Sequence, residues 1–485
     1  MRATIQCGDL EGFIQAETAA FLGIPYAQPP VGRLRFQPPV EPASWVGARD
    51  ATYYRSAPVQ RSPFMNGGTT FGSEDCLYLN LWSSLSAKSN KPTIVWVYGG
   101  GFEGGTASSD EFNGAEIATM ADAVFINFNY RVGFLGFGAL PESEDYPVTT
   151  NLGFRDLLAV LRWVQNNVQA FGGDPRNVTV FGQSAGAFIA SALLSSQDYS
   201  SLFQRVFLMS GGTSRYIPLE QTRRITNAAM ASYEPGQVSV ESVSVDDLLT
   251  AQRSLVPSDM GERNGLVPKA LGMTLDSETA MPAVPVHPME AVVAGQVKSK
   301  EILVSCDESE VHPFRRFLPA TFACEDQSEL VLKLQRWGIT KQKTESLVEL
   351  YALKAPDASP PELMEQILTD YIYRLPAARL LQAHSAAGGE CWGIEFVGAE
   401  NEPMGHGDEL PALFDGTAKL KNVVPNPNLR ASLMSALVNF AKFGNPGWPA
   451  YDSSVAAVQL MGRSADLRKN LYAQLLGAWH GVERP

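Results

Sequence analysis

The sequence predicts an α/β protein, a large and mostly parallel sheet flanked by helices, and three observations carry the prediction. Short apolar or alternating runs recur along the whole chain, amphipathic helical patterns lie between several of them, and the composition is that of a deep core. The chain has 485 residues, 45% of them hydrophobic and 18% charged, too rich in apolar and too poor in charged side chains for disorder. In chain order, strands are expected at Leu77 to Trp82, Thr93 to Tyr98 and Ala123 to Phe128. Leu152 to Val168 then reads as a helix, with Leu157, Leu158, Leu161, Val164 and Val168 mostly three or four positions apart. Further strands follow at Asn177 to Phe181, Arg205 to Ser210, Glu301 to Ser305 and Cys391 to Phe396. Alternation of this kind places functional loops at the carboxyl ends of the strands.

Residues 237–370 carry weaker strand signals and more Ser, Glu and Lys, with helical stretches at Glu329 to Trp337 and Thr344 to Ala352. They are expected as inserted helices capping the sheet. Toward the end, Ala431 to Phe443 and Asp466 to Trp479 both read as amphipathic helices. No internal repeat, low-complexity tract or linker divides the chain, so residues 1–485 are expected to form one domain with a helical insertion at roughly 237–370.

Composition excludes several classes of function. The net charge of −13 and pI near 5.0 give a field that repels phosphate backbones and anionic lipid heads, so no nucleic-acid partner is expected. No uncharged apolar run approaches the roughly 18 residues of a membrane span. The opening MRATIQCGDLEGF has no apolar stretch behind Arg2, so export is not expected either. Cys7, Cys76, Cys306, Cys324 and Cys391 are odd in number, scattered and never in CxxC spacing. That argues against a disulfide framework or zinc site and for a cytoplasmic protein without metal or cofactor.

The sharpest chemical signal is Gly182-Gln183-Ser184-Ala185-Gly186, which follows the β-branched strand Val178, Thr179, Val180 and precedes an Ala-rich apolar helix. A serine at such a strand-to-helix turn exposes its Oγ, while small residues two positions either side let strand and helix close up. The N–H of Ala185 then points from the helix N-terminus toward a developing oxyanion. A second signal follows the strand ending at Tyr98. Gly99, Gly101 and Gly104 satisfy a dinucleotide GxGxxG fingerprint, but Thr106 to Asn113 is polar and turn-like, and no ribose-binding acid ends the next strand. The better reading is an oxyanion loop, in which Gly100 and Gly101 let backbone N–H groups approach a substrate oxygen.

A serine nucleophile needs a base, and chain order in such sheets runs Ser, acid, His. Of five histidines, His406 fits best, in the Gly-rich loop Gly405-His406-Gly407 just past a late strand. His287 and His312 precede prolines, His384 follows an apolar helix and His480 lies near the terminus, so surface or packing roles suit them. The acid should follow Glu301 to Ser305, and Asp307, Glu308 and Glu310 all stand there. Composition alone leaves the three open.

Taken together, the chain resembles the type B carboxylesterase and lipase family, which includes the cholinesterases and the bacterial p-nitrobenzyl esterases. The resemblance runs nearly end to end: Phe21-Leu22-Gly23-Ile24-Pro25-Tyr26-Ala27, Pro29 through Phe36, Ser73-Glu74-Asp75-Cys76-Leu77-Tyr78-Leu79-Asn80, Phe171 through Gly186, and Trp448-Pro449-Ala450-Tyr451. It implies an α/β-hydrolase fold, Ser184 as nucleophile, His406 as base and Gly100, Gly101 and Ala185 as oxyanion donors. A gapless match of Ile302 to Ser305 puts Glu310 at the family's acid, with Ser309 and Val311 replacing its Asp and Gly. It further implies that Arg35 pairs with Glu74 and that Ser210 lies near the acid.

Departures from the family pattern are informative. Cys76 has no upstream partner but Cys7, and Ala57-Pro58-Val59-Gln60 stands where one would be. Gln183 replaces the acid that precedes the nucleophile in cholinesterases, and Val59 to Ser73 offers Phe64 and Phe71 but no Trp, so choline esters are poor candidates. Leu157 stands where the family usually has Gln. The implied activity is hydrolysis of small, uncharged carboxylic esters. Two alternatives are a lipase, with Pro58 to Gly72 as lid, and a non-catalytic scaffold of the same fold; oligomeric state is not legible.

Overall fold

The computed structural model describes residues 1–61, 69–140, 150–230, 244–252, 271–335, 339–400 and 402–482. Eleven strands form the central sheet. Numbered along the chain within this sheet they are β1 (Phe13–Gln15), β2 (Thr18–Pro25), β3 (Tyr78–Ser84), β4 (Lys91–Val97), β5 (Val124–Phe128) and β6 (Gly173–Gln183), then β7 (Arg205–Met209), β8 (Glu301–Asp307), β9 (Cys391–Val397), β10 (Val458–Gly462) and β11 (Leu467–Arg468). The spatial order is β11-β10-β9-β8-β7-β6-β4-β5-β3-β2-β1. From β5 through β10 every pairing is parallel, and antiparallel strands close both edges.

The interior strands are buried on both faces, as a sheet covered by helices demands: β5, β9 and most of β4 and β8 have no exposed residue. The helix Leu152–Asn167 buries its apolar stripe, and Leu157, which stands where a Gln was expected, lies fully inside the core. Beside it Asp156 accepts from the backbone and guanidinium of Arg131, which follows β5, at 2.7 to 2.9 Å. This pair is buried, so it ties the helix to the loop after β5 through bonds that water does not screen.

Residues 237–370 contain helices at Val245–Gln252, Gln327–Gln335, Lys341–Lys354 and Pro360–Thr369, but also β8, which lies in the middle of the sheet. Trp337, expected to end a helix, lies outside the described residues, as do Phe64, Met65 and the middle, residues 62–68, of the lid expected between Pro58 and Gly72. The flanks of that segment are anchored: Gln60 donates to the Gly105 carbonyl and accepts from the Gly105 N–H, both at 2.8 Å.

One helix expectation needs correction. Asp466 to Trp479 divides into the edge strand β11 and a short helix, Ala473–Ala478. Leu467, Leu471, Leu475 and Trp479 keep helical spacing, but Asn470 takes a left-handed φ of 55° between them and the backbone of β11 is used by β10. Among the described residues no helix is long and apolar enough to cross a membrane.

Candidate active site

Ser184 sits at the junction of β6 and the helix Ala185–Ser191, with φ 56° and ψ −126°, a conformation that L-residues rarely hold. The surrounding structure enforces it. The Ser184 N–H donates to Met209 O on β7 at 2.9 Å, and the Ser184 carbonyl accepts from Ala187 and Phe188. A Cβ on Gly182 would lie 2.5 Å from Gly186 O, and one on Gly186 would lie 2.0 Å from Val97 O. Both positions therefore need glycine for close approach.

The same closeness joins this turn to the glycine loop after β4. A Cβ on Gly99 would stand 3.0 Å from the Ser184 Cβ, and Gly100 and Gly101 take φ of 126° and 64°. Among the described residues the N–H groups of Gly100, Gly101 and Ala185 have no intramolecular acceptor. They are donors left for something else. The loop shows no nucleotide-binding helix behind it; a 3-10 turn at Asp110–Phe112 comes next.

The loop after β9 carries His406 between Gly405 and Gly407, and the loop after β8 carries the three candidate acids. His406 Nδ1 lies 2.7 Å from Glu310 Oε2, with Glu310 wholly buried. The other Glu310 oxygen accepts from the Asp307 N–H at 2.9 Å, and the His406 N–H donates to the Glu310 carbonyl at 3.3 Å. Asp307 instead accepts from Ser210 Oγ at 3.0 Å, and Glu308 accepts from the Gly398 N–H. Of the three acids, only Glu310 reaches an imidazole. Ser210 thus bonds Asp307, whose own N–H donates to Glu310.

The ring of His406 is flanked by Tyr373 and Phe314, with centroids at 5.0 and 5.4 Å. Gln183 Nε2 lies 3.4 Å from His406 Nε2, so the imidazole faces the turn that bears Ser184. Ser184 Oγ itself is not hydrogen-bonded to His406 here. Such contacts are often loose before substrate arrives. Arg35 and Glu74 form a two-pronged ion pair, each contact 2.5 Å.

Three of the remaining histidines serve local structure. His287 caps a helix and accepts from the Met289 N–H, burial pushing its pKa down to about 4. His384 is buried against the Lys300 carbonyl, and His312 pairs with Glu365, which also receives Ser309 and Arg315 from the acid-bearing loop.

One buried carboxyl beside His406 escaped the sequence reading. Glu409, three residues past His406, is fully enclosed with neither oxygen partnered, and burial together with Glu310 raises it to about 7. Asp307 is also raised, by burial and then by Glu409 and Glu310. The spacing of Glu409 from His406 was its available signal, because burial is a tertiary property. Asp307, Glu310 and His406 present donor atoms within 4.8 Å of one another, but those of Glu310 are already occupied by His406 and the Asp307 N–H.

The arrangement can generate and stabilise an alkoxide-type attack: a hydroxyl at a strained turn, an imidazole oriented by a buried carboxylate, and three unpaired N–H groups opposite. A family profile described as "Carboxylesterase family" matches residues 2–478. The chain is similar to the para-nitrobenzyl esterase of Bacillus subtilis (strain 168), 32% identical over 92% of both chains. It is also similar to a fumonisin B1 esterase of Sphingopyxis macrogoltabida, 31% identical over 92% of this chain and 84% of that one. Among solved structures, a Geobacillus stearothermophilus carboxylesterase superposes with a TM-score of 0.87 at 30% identity, covering 99% of each chain.

Proposed function

The chain belongs to the carboxylesterase family and is a carboxylic ester hydrolase of the α/β-hydrolase fold, and from that premise we propose a Ser-His-Glu mechanism through an acyl-enzyme. Ser184 attacks the ester carbonyl, His406 takes its proton, and Glu310 holds the imidazole in the tautomer with Nδ1 protonated. The carbonyl oxygen becomes an oxyanion held by the N–H groups of Gly100, Gly101 and Ala185. His406 returns the proton to the leaving alcohol, then activates the water that releases the acid. The observation that carries this reading is the 2.7 Å contact between His406 and the buried Glu310, at the rim of a turn that strains Ser184.

The substrates in this reading are small, uncharged carboxylic esters, and no metal or other cofactor takes part. We read residues 1–485 as one domain, with the helices of 237–370 arranged around β8, a reading supported by a family match that spans residues 2–478. A cytoplasmic site of action is supported by five cysteines that are all unpaired.

The test is pre-steady-state release of p-nitrophenol from acetate, butyrate and octanoate esters, with Ser184→Ala alongside. The expected result is a near-stoichiometric burst and turnover that vanish in the variant. Wild type and variant equally inert, though folded, would overturn the mechanism and leave the scaffold reading. Activation at an oil-water interface would point to a lipase.

A further inference from the structure

The loop that carries Glu310 is held by a helical rod that the mechanism leaves unused. The helix Pro360–Thr369 opens on a capping box between Ser359 and Glu362 and buries Leu363, Met364, Ile367 and Leu368 against the core. A π-helical turn, Asp370–Arg374, continues it. Glu365, Thr369 and Tyr373 follow one another at intervals of four, the spacing that sets side chains along one side of a helix. Each of the three meets the loop of the acid or the imidazole itself.

Glu365 is 7% exposed and gathers three side chains of that loop. Its Oε1 accepts from Ser309 Oγ and lies 3.1 Å from His312 Nδ1, and its Oε2 accepts from Arg315 at 3.0 Å. The His312 and Arg315 side chains reach the surface, 46% and 36% exposed, so water can replace the carboxylate for them. Ser309 differs, because it is the residue next to Glu310. Its N–H donates to the carbonyl of Met404, two residues before His406, at 2.9 Å. On the other side of Glu310, the Val311 N–H donates to Thr369 Oγ1 at 3.4 Å. One helix face thus grips the backbone on both sides of Glu310, whose carboxylate spans from the Asp307 N–H to His406 Nδ1. A displacement of about 1 Å in such a constellation costs up to about 100-fold in rate.

Resting on the Ser-His-Glu reading, we propose that Glu365 is a positioning residue for the hydrolysis: through Ser309 it fixes the turn that holds the Glu310 carboxylate against His406. A purely structural role predicts less folded enzyme, each molecule of it fully active. A positioning role predicts folded enzyme that binds substrate normally and turns it over slowly, with the whole loss passing through Glu310.

The test is turnover of p-nitrophenyl butyrate, per mole of folded enzyme, by wild type, Glu365→Ala, Glu365→Gln, Glu310→Gln and the double variant Glu310→Gln with Glu365→Ala. Glu365→Ala should lower kcat by about 10- to 100-fold with KM within about twofold of wild type. Glu365→Gln, whose carbonyl still accepts from Ser309, should bring kcat back to within about threefold. In the Glu310→Gln background the alanine should cost little more, because the group it positions is already lost. Wild-type kcat in Glu365→Ala, or an equal loss with and without Glu310, overturns the proposal and leaves the Ser-His-Glu reading intact. Wild-type kcat in Glu310→Gln overturns that reading and this proposal with it. Should Glu365→Ala not fold, Ser309→Ala decides, since it cuts the same bond from the loop side and leaves Glu365 its other partners. A kcat about tenfold lower at unchanged KM then supports the proposal, and an unchanged kcat refutes it.

Discussion

Replacing Gly100 by alanine should lower kcat by about 10²- to 10³-fold and leave KM almost unchanged, the loss typical of removing an oxyanion donor. The reasoning is geometric. At φ 126° an alanine Cβ would sit 2.1 Å from the Gly104 carbonyl oxygen, where ordinary contact begins at 3.4 Å, so the two arms of the loop must part by more than an ångström. Oxyanion donors work at about 2.7–3.1 Å, and a displacement of that size takes the Gly100 and Gly101 N–H groups out of range. The backbone strain of about 1–3 kcal/mol adds only a modest fall in melting temperature. Gly47→Ala is the matched control: its φ is 79°, but no atom lies within 4 Å of the added Cβ. It should lower the melting temperature comparably and leave kcat alone. Steady-state kinetics on p-nitrophenyl butyrate, with thermal melts of both variants, separate the two effects. A folded Gly100→Ala enzyme with kcat within about threefold of wild type would refute the assignment of this loop to the oxyanion.

The three acids should separate cleanly in turnover assays: Glu310→Gln should lose about 10⁴ in kcat, as when an imidazole is held in the wrong tautomer, whereas Glu308→Gln stays near wild type. Equal losses in both would remove Glu310 from the mechanism. Stability should fall between about pH 4.5 and 7, because above 4.5 the unfolded chain has released the Glu103 proton that the folded chain keeps until about 7. That contribution, ~3 kcal/mol at neutral pH, should be absent in Glu103→Gln, whose melting curve rises relative to wild type at pH 8 but not at pH 4.5. Glu409→Gln should change stability in the same direction, since its folded value is also about 7 and its unfolded value near 4.5. Asp156→Ala strands the buried Arg131 guanidinium and should destabilise by about 3–5 kcal/mol in denaturant titration.

Much of this molecule was legible because its signals are local. The strands of the parallel run are apolar on both faces and stand out as runs, and the glycines around Ser184 and in the loop after β4 mark where backbones must touch. Chain order then singled out His406. The acid was different: Asp307, Glu308 and Glu310 are alike in local chemistry, the family match alone pointed to Glu310, and it is the fold that turns Glu310 toward His406 while Ser210 engages Asp307 and Gly398 engages Glu308. Glu103 and Glu409 were passed over for a related reason, since a glutamate in a glycine-rich loop reads as solvated until its burial is known. The terminal misreading was a contest between periodicity and one backbone angle, and the left-handed Asn470 decided it.

The wide spacing of the site along the chain has a consequence for biosynthesis. His406 stands 96 residues from Glu310 and 223 from Gln183, and the loops bearing them emerge from strands that must first line up across the sheet. Closing such long intervals adds little to the equilibrium cost, since each doubling of a loop is worth only about 0.6 kcal/mol, but it delays the encounter. A nascent chain that has left the ribosome only as far as β8 already holds its serine turn and glycine loop, yet has no imidazole to serve them. On the proposed mechanism, hydrolysis during refolding should therefore time the arrival of the last quarter of the chain.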